Sequence, residues 1–261
     1  MRALQIAATG MSAQQMRVDV ISNNLANMST TGYNARRAEF ADLHYQQLTR
    51  PGTVNASDGT IVPTGVQIGL GVRPTAVTVN VAQGSLSATG GDLDVAIEGM
   101  GFLEVTLPSG LSAYTRDGAL KRTGDGLIVT SDGYQVAPGI TIPSDARSLS
   151  INASGEVYAY FNSQVQPQLL GQITLAGFTN EKGLEATGSN LFLETAASGP
   201  ATIAAPGESG LGTLRQGFLE DSSVDAVREI TDLIEAQRGY ELNAKVITAA
   251  DQMLGATTQV R

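Results

Sequence analysis

The stretch Leu4–Tyr33, LQIAATGMSAQQMRVDVISNNLANMSTTGY, decides how this chain is organised. Leu4, Met11, Val18 and Leu25 recur every seven residues. Ala7, Gln14, Ile21 and Met28 fall three later in each heptad. Two positions repeating this way form a continuous seam along an α-helix. The spacing predicts a long N-terminal helix, with Gly32 as its stop. The rest of its surface is unusual: from Ala3 to Asn34 the only charged side chains are Arg17 and Asp19. A water-facing helix carries Lys, Glu and Arg. Burying a charge costs far more than burying a satisfied amide. Gln, Ser and the asparagines Asn23, Asn24 and Asn27 therefore suit a face that meets more protein. Asparagine is also a weak helix former, so three at the end of the helix call for a reason.

The C-terminus mirrors this pattern. In DSSVDAVREITDLIEAQRGYELNAKVITAADQMLGATTQ, Leu233, Tyr240, Ile247 and Leu254 recur by sevens. Val227, Ile230, Ile234, Ala244 and Met253 widen the stripe. Ser222 with Asp225 three residues later resembles a capping box and predicts where this helix begins. Charge also differs between the ends. Residues 1–50 carry five Arg against three Asp or Glu, and residues 216–261 carry four basic against eight acidic side chains. Two long helices with heptad stripes at opposite ends of one chain predict an antiparallel coiled-coil-like pair, with the remainder looped out between them.

That remainder has two characters. From Gln46 to about residue 75, turn signals at Pro51-Gly52, Asp58-Gly59 and Pro63 flank short apolar alternation at Val66 and Ile68. This predicts an extended, hairpin-like excursion, with a linker as the alternative. From Ala76 onward, AVTVNV, LDVAIEG, FLEVTL, LIVT, SLSIN, VYAYF, GQITLAGF and NLFLE read as strands separated by TGDGL, TSDGY and ASGE turns. The expected class is α+β. A discontinuous helical domain spans 1–45 and 216–261, an excursion 46–75, and a mostly antiparallel β-rich domain 76–215.

Bulk composition narrows function. The chain has 261 residues, 42% hydrophobic and 16% charged, enough to bury a core. A net charge of −9 argues against nucleic-acid backbone binding. The absence of cysteine excludes disulfides, thiolate catalysis and thiolate metal sites. The single histidine, His44, leaves no His-rich metal motif, and no G-x-S-x-G elbow occurs. Asp92, Asp94 and Glu98 could suggest calcium, but lack the glycine and ligand count of an EF-hand loop. Asn27, Asn55 and Asn152 begin N-x-S triplets, which carry meaning only on a secretory route. Paired carboxylates could form a glycosidase site among 25 acids, and nothing in the pattern favours it. No signal-peptide core and no membrane-length apolar run is present. The expectation is a non-enzyme without metal or cofactor and without direct membrane insertion.

Several stretches carry a family resemblance. NNLANMSTTGY, DVAIEGMGF from Asp94, YTRDGALKRTGDGLIVTSDGYQV from Tyr114, GQITLAGFTNEKGLEATGSNLFLETAASG from Gly171, and the segment from Leu214 to Leu254 together resemble the bacterial flagellar rod and hook proteins. The match runs in order over nearly the whole chain. PTGVQIGLGVRPTAV, following the excursion, is most similar to the distal rod members, with proximal rod and hook members as alternatives. Asp225 and Gly239 stand where relatives often have Asn and Ala.

The resemblance implies a self-assembling helical homopolymer, with terminal helices lining an inner tube and a β-domain outside. It implies export without a cleaved signal through the flagellar type III apparatus and location in the basal body, in the periplasm. The implied partners are the proximal rod, the hook, and the P-ring and L-ring proteins. The implied assembly surface comprises Leu4, Met11, Val18, Ile21, Asn23, Asn24, Leu25, Asn27 and Met28 on the first helix, and Leu233, Tyr240, Ile247 and Leu254 on the second. The termini are expected to fray in the free chain and to order on assembly. Two rival readings are a β-rich binding module or hydrolase with helical oligomerisation tails, which requires a concave polar site, and a parallel trimeric fibre.

Overall fold

A computed structural model describes residues 2–50, 64–162 and 166–259. The turns expected at Pro51, Asp58 and Pro63, and the Asn55 triplet, lie outside them. The chain is α+β, with a helix near each end and strands between. It divides into two compact units, one of residues 1–25, 36–78 and 225–261, the other of residues 26–35 and 79–224.

The first unit contains helix α1, Arg2–Ala26, strands β1, Arg36–Asp42, β2, Tyr45–Thr49, β3, Val66–Gly69, and β4, Val72–Val79, and helix α2, Ala226–Gln259. Helix α1 ends before the expected stop, and the residues up to Gly32 form turns. Asn27 ends the helical run because its carbonyl and side chain both turn to Thr30, at 3.2 Å each. Gly32 itself adopts φ +64°, and a Cβ there would lie 2.8 Å from the Arg116 carbonyl carbon. Helix α2 begins three residues later than a cap at Ser222 would place it. Asp225 is the cap, its Oδ1 accepting the amides of Val227 at 3.0 Å and Arg228 at 3.3 Å. Ser222 Oγ accepts only the amide of Val224 locally, at 3.3 Å.

RRAEFAD, placed with the helical ends by sequence, is strand β1, which pairs with β4. β2 and β3 form an antiparallel ladder in which Tyr45 opposes Gly69 and Gln46 opposes Ile68, with an irregularity at Leu48. The Tyr45 ring covers Gly69, lying 3.4 Å from where a Cβ would stand.

The second unit is built of antiparallel ladders. A nine-stranded sheet carries Phe102–Thr106 near its centre, paired with Ser112–Thr115, Gln135–Val136 and Leu175–Gly177. A three-stranded sheet joins Ala146–Ile151, Glu156–Phe161 and Gln168–Gln172. Strands of these sheets point Leu103, Val105, Ile151, Val157 and Leu175 into one aliphatic core, joined by Ile97 from the separate strand Val95–Glu98. Phe102, Tyr114, Phe178 and Phe192 form a second cluster with edge-to-face rings 4.8–5.9 Å apart.

This unit also holds the points where the chain enters and leaves it. Gly32 N–H donates to the Glu220 carbonyl at 2.8 Å, Ser223 N–H to the Tyr33 carbonyl at 3.0 Å, and Ala35 N–H to Ser223 Oγ at 2.9 Å. Beneath them lies a buried ion pair. The Arg116 guanidinium contacts Glu220 Oε2 through Nε and Nη2, both at 2.9 Å, and donates to the carbonyls of Gly101 and Gly99 at 3.1 Å. Glu220 Oε1 accepts the Gly84 amide at 2.9 Å. Arg116 and Glu220 are 4% and 3% exposed. Burial at this depth is tolerable because each charge is met by several hydrogen-bond partners.

Candidate assembly surface

The two helices touch through a seam of small and polar residues. Asn24 lies opposite Glu229, Arg17 opposite Asp232 and Glu235, Gln14 opposite Gly239, and Gly10 opposite Asn243. As the numbers fall on α1 they rise on α2, so the contacts run antiparallel. The α1 contact positions follow a three-four spacing through Gly10, Gln14, Arg17 and Asn24, with Ala7 and Ile21 buried at the same spacing. On α2 the corresponding run is Glu229, Asp232, Ala236, Gly239 and Asn243. In each helix this seam lies one position before the expected apolar heptad. Gly10, Arg17 and Asn24 precede Met11, Val18 and Leu25, and Asp232 and Gly239 precede Leu233 and Tyr240.

The apolar heptads therefore sit on the flank of the pair. Leu4, Met11, Val18 and Leu25 are half-buried, as are Leu233 and Ile247, whereas Tyr240 and Leu254 are exposed. Ile21 is buried. A second set on α2 faces outward, with Val227 76% and Met253 66% exposed, joined by Ile230, Ile234, Leu242 and Val246. The β2–β3 ladder adds Tyr45, Leu48, Val66 and Ile68, all exposed. Exposed apolar side chains in such numbers are the kind of surface that partners cover.

The asparagines separate by role. Asn24 is 1% exposed, and its amide answers the backbone of β1: Nδ2 donates to the Arg36 carbonyl at 2.8 Å, and Oδ1 accepts the Arg36 amide at 2.9 Å. Its second proton reaches Glu229 Oε1 at 3.1 Å. Only an amide offers a donor and an acceptor in one plane at this reach. Asn27 is half-buried and binds within the turn to Thr30, while Asn23 and Met28 are exposed. Burial raises the Glu229 carboxyl above its ordinary 4.5. Asn24 donation opposes this, Asp232 adds to it, and Arg228 and Arg17 oppose it.

Sequence reasoning placed Gln14 on the seam and singled out Gly239, but missed Gly10 and Asn243. The available signal was a glycine within each helix followed four residues later by an amide.

Other chemistry is sparse. Among the described residues no group of three His, Asp or Glu side chains is placed to hold a metal. Asp94 of the calcium-like pattern instead accepts the Thr89 hydroxyl, and its carbonyl accepts the Gly217 amide. No described helix is long and apolar enough to cross a membrane.

Residues 4–34 match the family model for flagella basal body rod protein, residues 96–159 that for the flagellar hook protein FlgE/F/G D1 domain, and residues 215–260 that for the flagellar basal body rod FlgEFG protein C-terminal region. The chain is 57% identical to the flagellar basal-body rod protein FlgG of Caulobacter vibrioides over 261 residues, covering all of both chains. It is 50% identical to the FlgG of Agrobacterium fabrum, over 97% of each chain. It is 46% identical to the FlgG of Borreliella burgdorferi, over 100% of this chain and 99% of that one. With matched segments at both helices and in the sheets between, and relatives aligned end to end, the chain belongs to the FlgG-type flagellar basal-body rod protein family.

Proposed function

We propose that this chain is a structural subunit of the flagellar distal rod that polymerises with copies of itself into a helical tube. The observation that carries this reading is the offset between the helix contact seam and the apolar heptads. The contacts within one chain occupy small and polar positions, and the apolar side chains beside them are left half-buried or exposed. A second copy that covers them in a head-to-tail contact that does not close generates a filament. The outward face of α1, with Ser12, Gln15, Ser22 and Asn23, is mostly uncharged and would bury one charge, Asp19.

In this reading α1 and α2 pack as a coiled-coil-like antiparallel pair in the inner layer, and the β-rich unit lies outside. The tube is the drive shaft from motor to hook, turning inside the P and L rings. Its neighbours along the axis are the proximal rod and the hook. The subunit reaches the periplasm through the flagellar type III export apparatus without a cleaved signal. The β2–β3 ladder belongs to the excursion, which stiffens the shaft.

Leu25→Asp tests this. It places a charge on the apolar flank without touching the Asn24 and Arg17 contacts. The variant is expected to keep the near-ultraviolet circular dichroism of the β-rich unit and to lose sedimentable polymer. Polymer of normal length and yield would refute the assignment of that flank to assembly.

A further inference from the structure

We propose that Gly10, Gln14, Gly239 and Asn243 form a reciprocal clasp that sets the register of the two terminal helices. Each helix contributes a glycine and, four residues on, an amide. Gln14 of α1 lies over Gly239, its Cδ 3.1 Å and Nε2 3.2 Å from where a Cβ would stand. Asn243 of α2 lies over Gly10, with Nδ2 and Oδ1 both 3.0 Å from the corresponding point. The four residues from Gly10 to Gln14 match the four from Gly239 to Asn243 in the opposite direction. Each knob therefore fills the other helix's hole, and the two contacts are related by an approximate twofold rotation.

The apolar heptads cannot choose a register by themselves. They repeat by sevens in both helices, so sliding one helix by seven residues lays apolar side chains against apolar side chains again. The clasp does discriminate. Sliding by one heptad sets Gln14 against Val246 or Asp232, and Asn243 against Arg17 or Ala3, where at least a Cβ occupies the hole. A polar residue at a seam position specifies register at a cost in stability, and both costs are visible here. Each glycine forfeits helix propensity relative to alanine. Gln14 Oε1 is buried with no hydrogen-bond partner. Asn243 recovers part of its cost by donating to the Gly239 carbonyl at 3.0 Å. The flanking Arg17–Asp232 pair agrees with the same register but is about one-third exposed on each side, where an ion pair contributes little.

The chain has no cysteine, so a pair introduced at the exposed positions Gln15 and Gln237 is a unique reporter. Spin labels there, read by double electron–electron resonance in the full chain, are expected to give one narrow distance. A variant with alanine at all four clasp positions keeps or raises helix content. It is expected to add a second population at longer distance, from helices slid by about 10 Å along each other, seven residues of helical rise. Gly239→Gln alone is expected to disperse the distance, and adding Gln14→Gly, which exchanges knob and hole, to restore it. An Arg17→Gln, Glu229→Gln control is expected to keep the single distance. An unchanged narrow distance in the four-alanine variant, no restoration by the exchange, or dispersal in the control would overturn the proposal. The comparison is made on polymer and on free chain. Failure of the unsubstituted chain to polymerise counts against the assembly reading alone, while the distances still decide the clasp.

Discussion

Replacing Arg116 by methionine strikes the part of the β-rich unit on which both chain crossings rest. Methionine keeps much of the apolar stem but removes the contacts to Glu220 Oε2 and the donations to the Gly99 and Gly101 carbonyls. Glu220, 3% exposed, is left with the Gly84 amide as its remaining named side-chain donor. Breaking a buried pair on one side costs about 3–5 kcal/mol, because the surviving charge stays buried. With a urea dependence of about 2 kcal/mol per molar, the midpoint falls by about 2 M. Near-ultraviolet circular dichroism reports it, since five of the seven tyrosines lie in this unit and the chain has no tryptophan. Adding Glu220→Gln removes the stranded charge while keeping an acceptor for Gly84, and is expected to recover at least half the loss. A midpoint shift below about 0.3 M, or a double variant as weak as the single, would refute the view that this pair anchors the crossings.

Asp117→Asn tests a second, half-buried carboxyl. Burial raises Asp117 above its ordinary 3.8 against hydrogen bonds from the Ala119 amide and Thr31, with Asp132 and Asp94 adding to the rise. The folded chain then holds this proton to higher pH than the unfolded chain, so this group's contribution to stability falls as pH rises from about 3.8 through the raised value. Asparagine is expected to flatten that limb of the urea midpoint against pH, and an unaltered slope would refute the assignment. Shortening the excursion between Leu48 and Pro63 is expected to leave polymerisation intact while making the rods bend in electron micrographs. Straight rods after the deletion would remove the excursion from the account of stiffness.

The helices were legible because a seven-residue apolar repeat survives whatever the helix packs against. The contact seam was not, because hydrophobicity marks what must be buried somewhere and not by which neighbour. Ala7, Gln14 and Ile21 of the expected seam do face the other helix, yet beside them it is Gly10, Arg17 and Asn24 that make the contacts inside the chain and not Met11, Val18 and Leu25. The strands within AVTVNV, FLEVTL and VYAYF announced themselves by alternation, although AVTVNV, expected in the β-domain, is the end of β4 in the first unit. RRAEFAD did not, since four of its seven side chains are charged and its place beside β4 is a tertiary fact. Asn24 was correctly singled out as an odd residue, but its partner, the main chain of Arg36, has no signature in side-chain patterns. Asp225 was passed over as a cap in favour of Ser222 because both satisfy the same rule, and the chain path through Ser223 to Tyr33 and Ala35 decides between them.

The central claim is that the apolar flanks of α1 and α2 are covered by further copies of this chain. An electron cryomicroscopy map of the assembled rod, with this subunit built into it, tests that most directly. The account predicts an open helical array in which Leu25, Leu233, Val227 and Ile234 are buried between subunits while Gln14 and Asn243 keep their contacts within each subunit. A closed ring, or an array in which those apolar side chains face solvent, would contradict it.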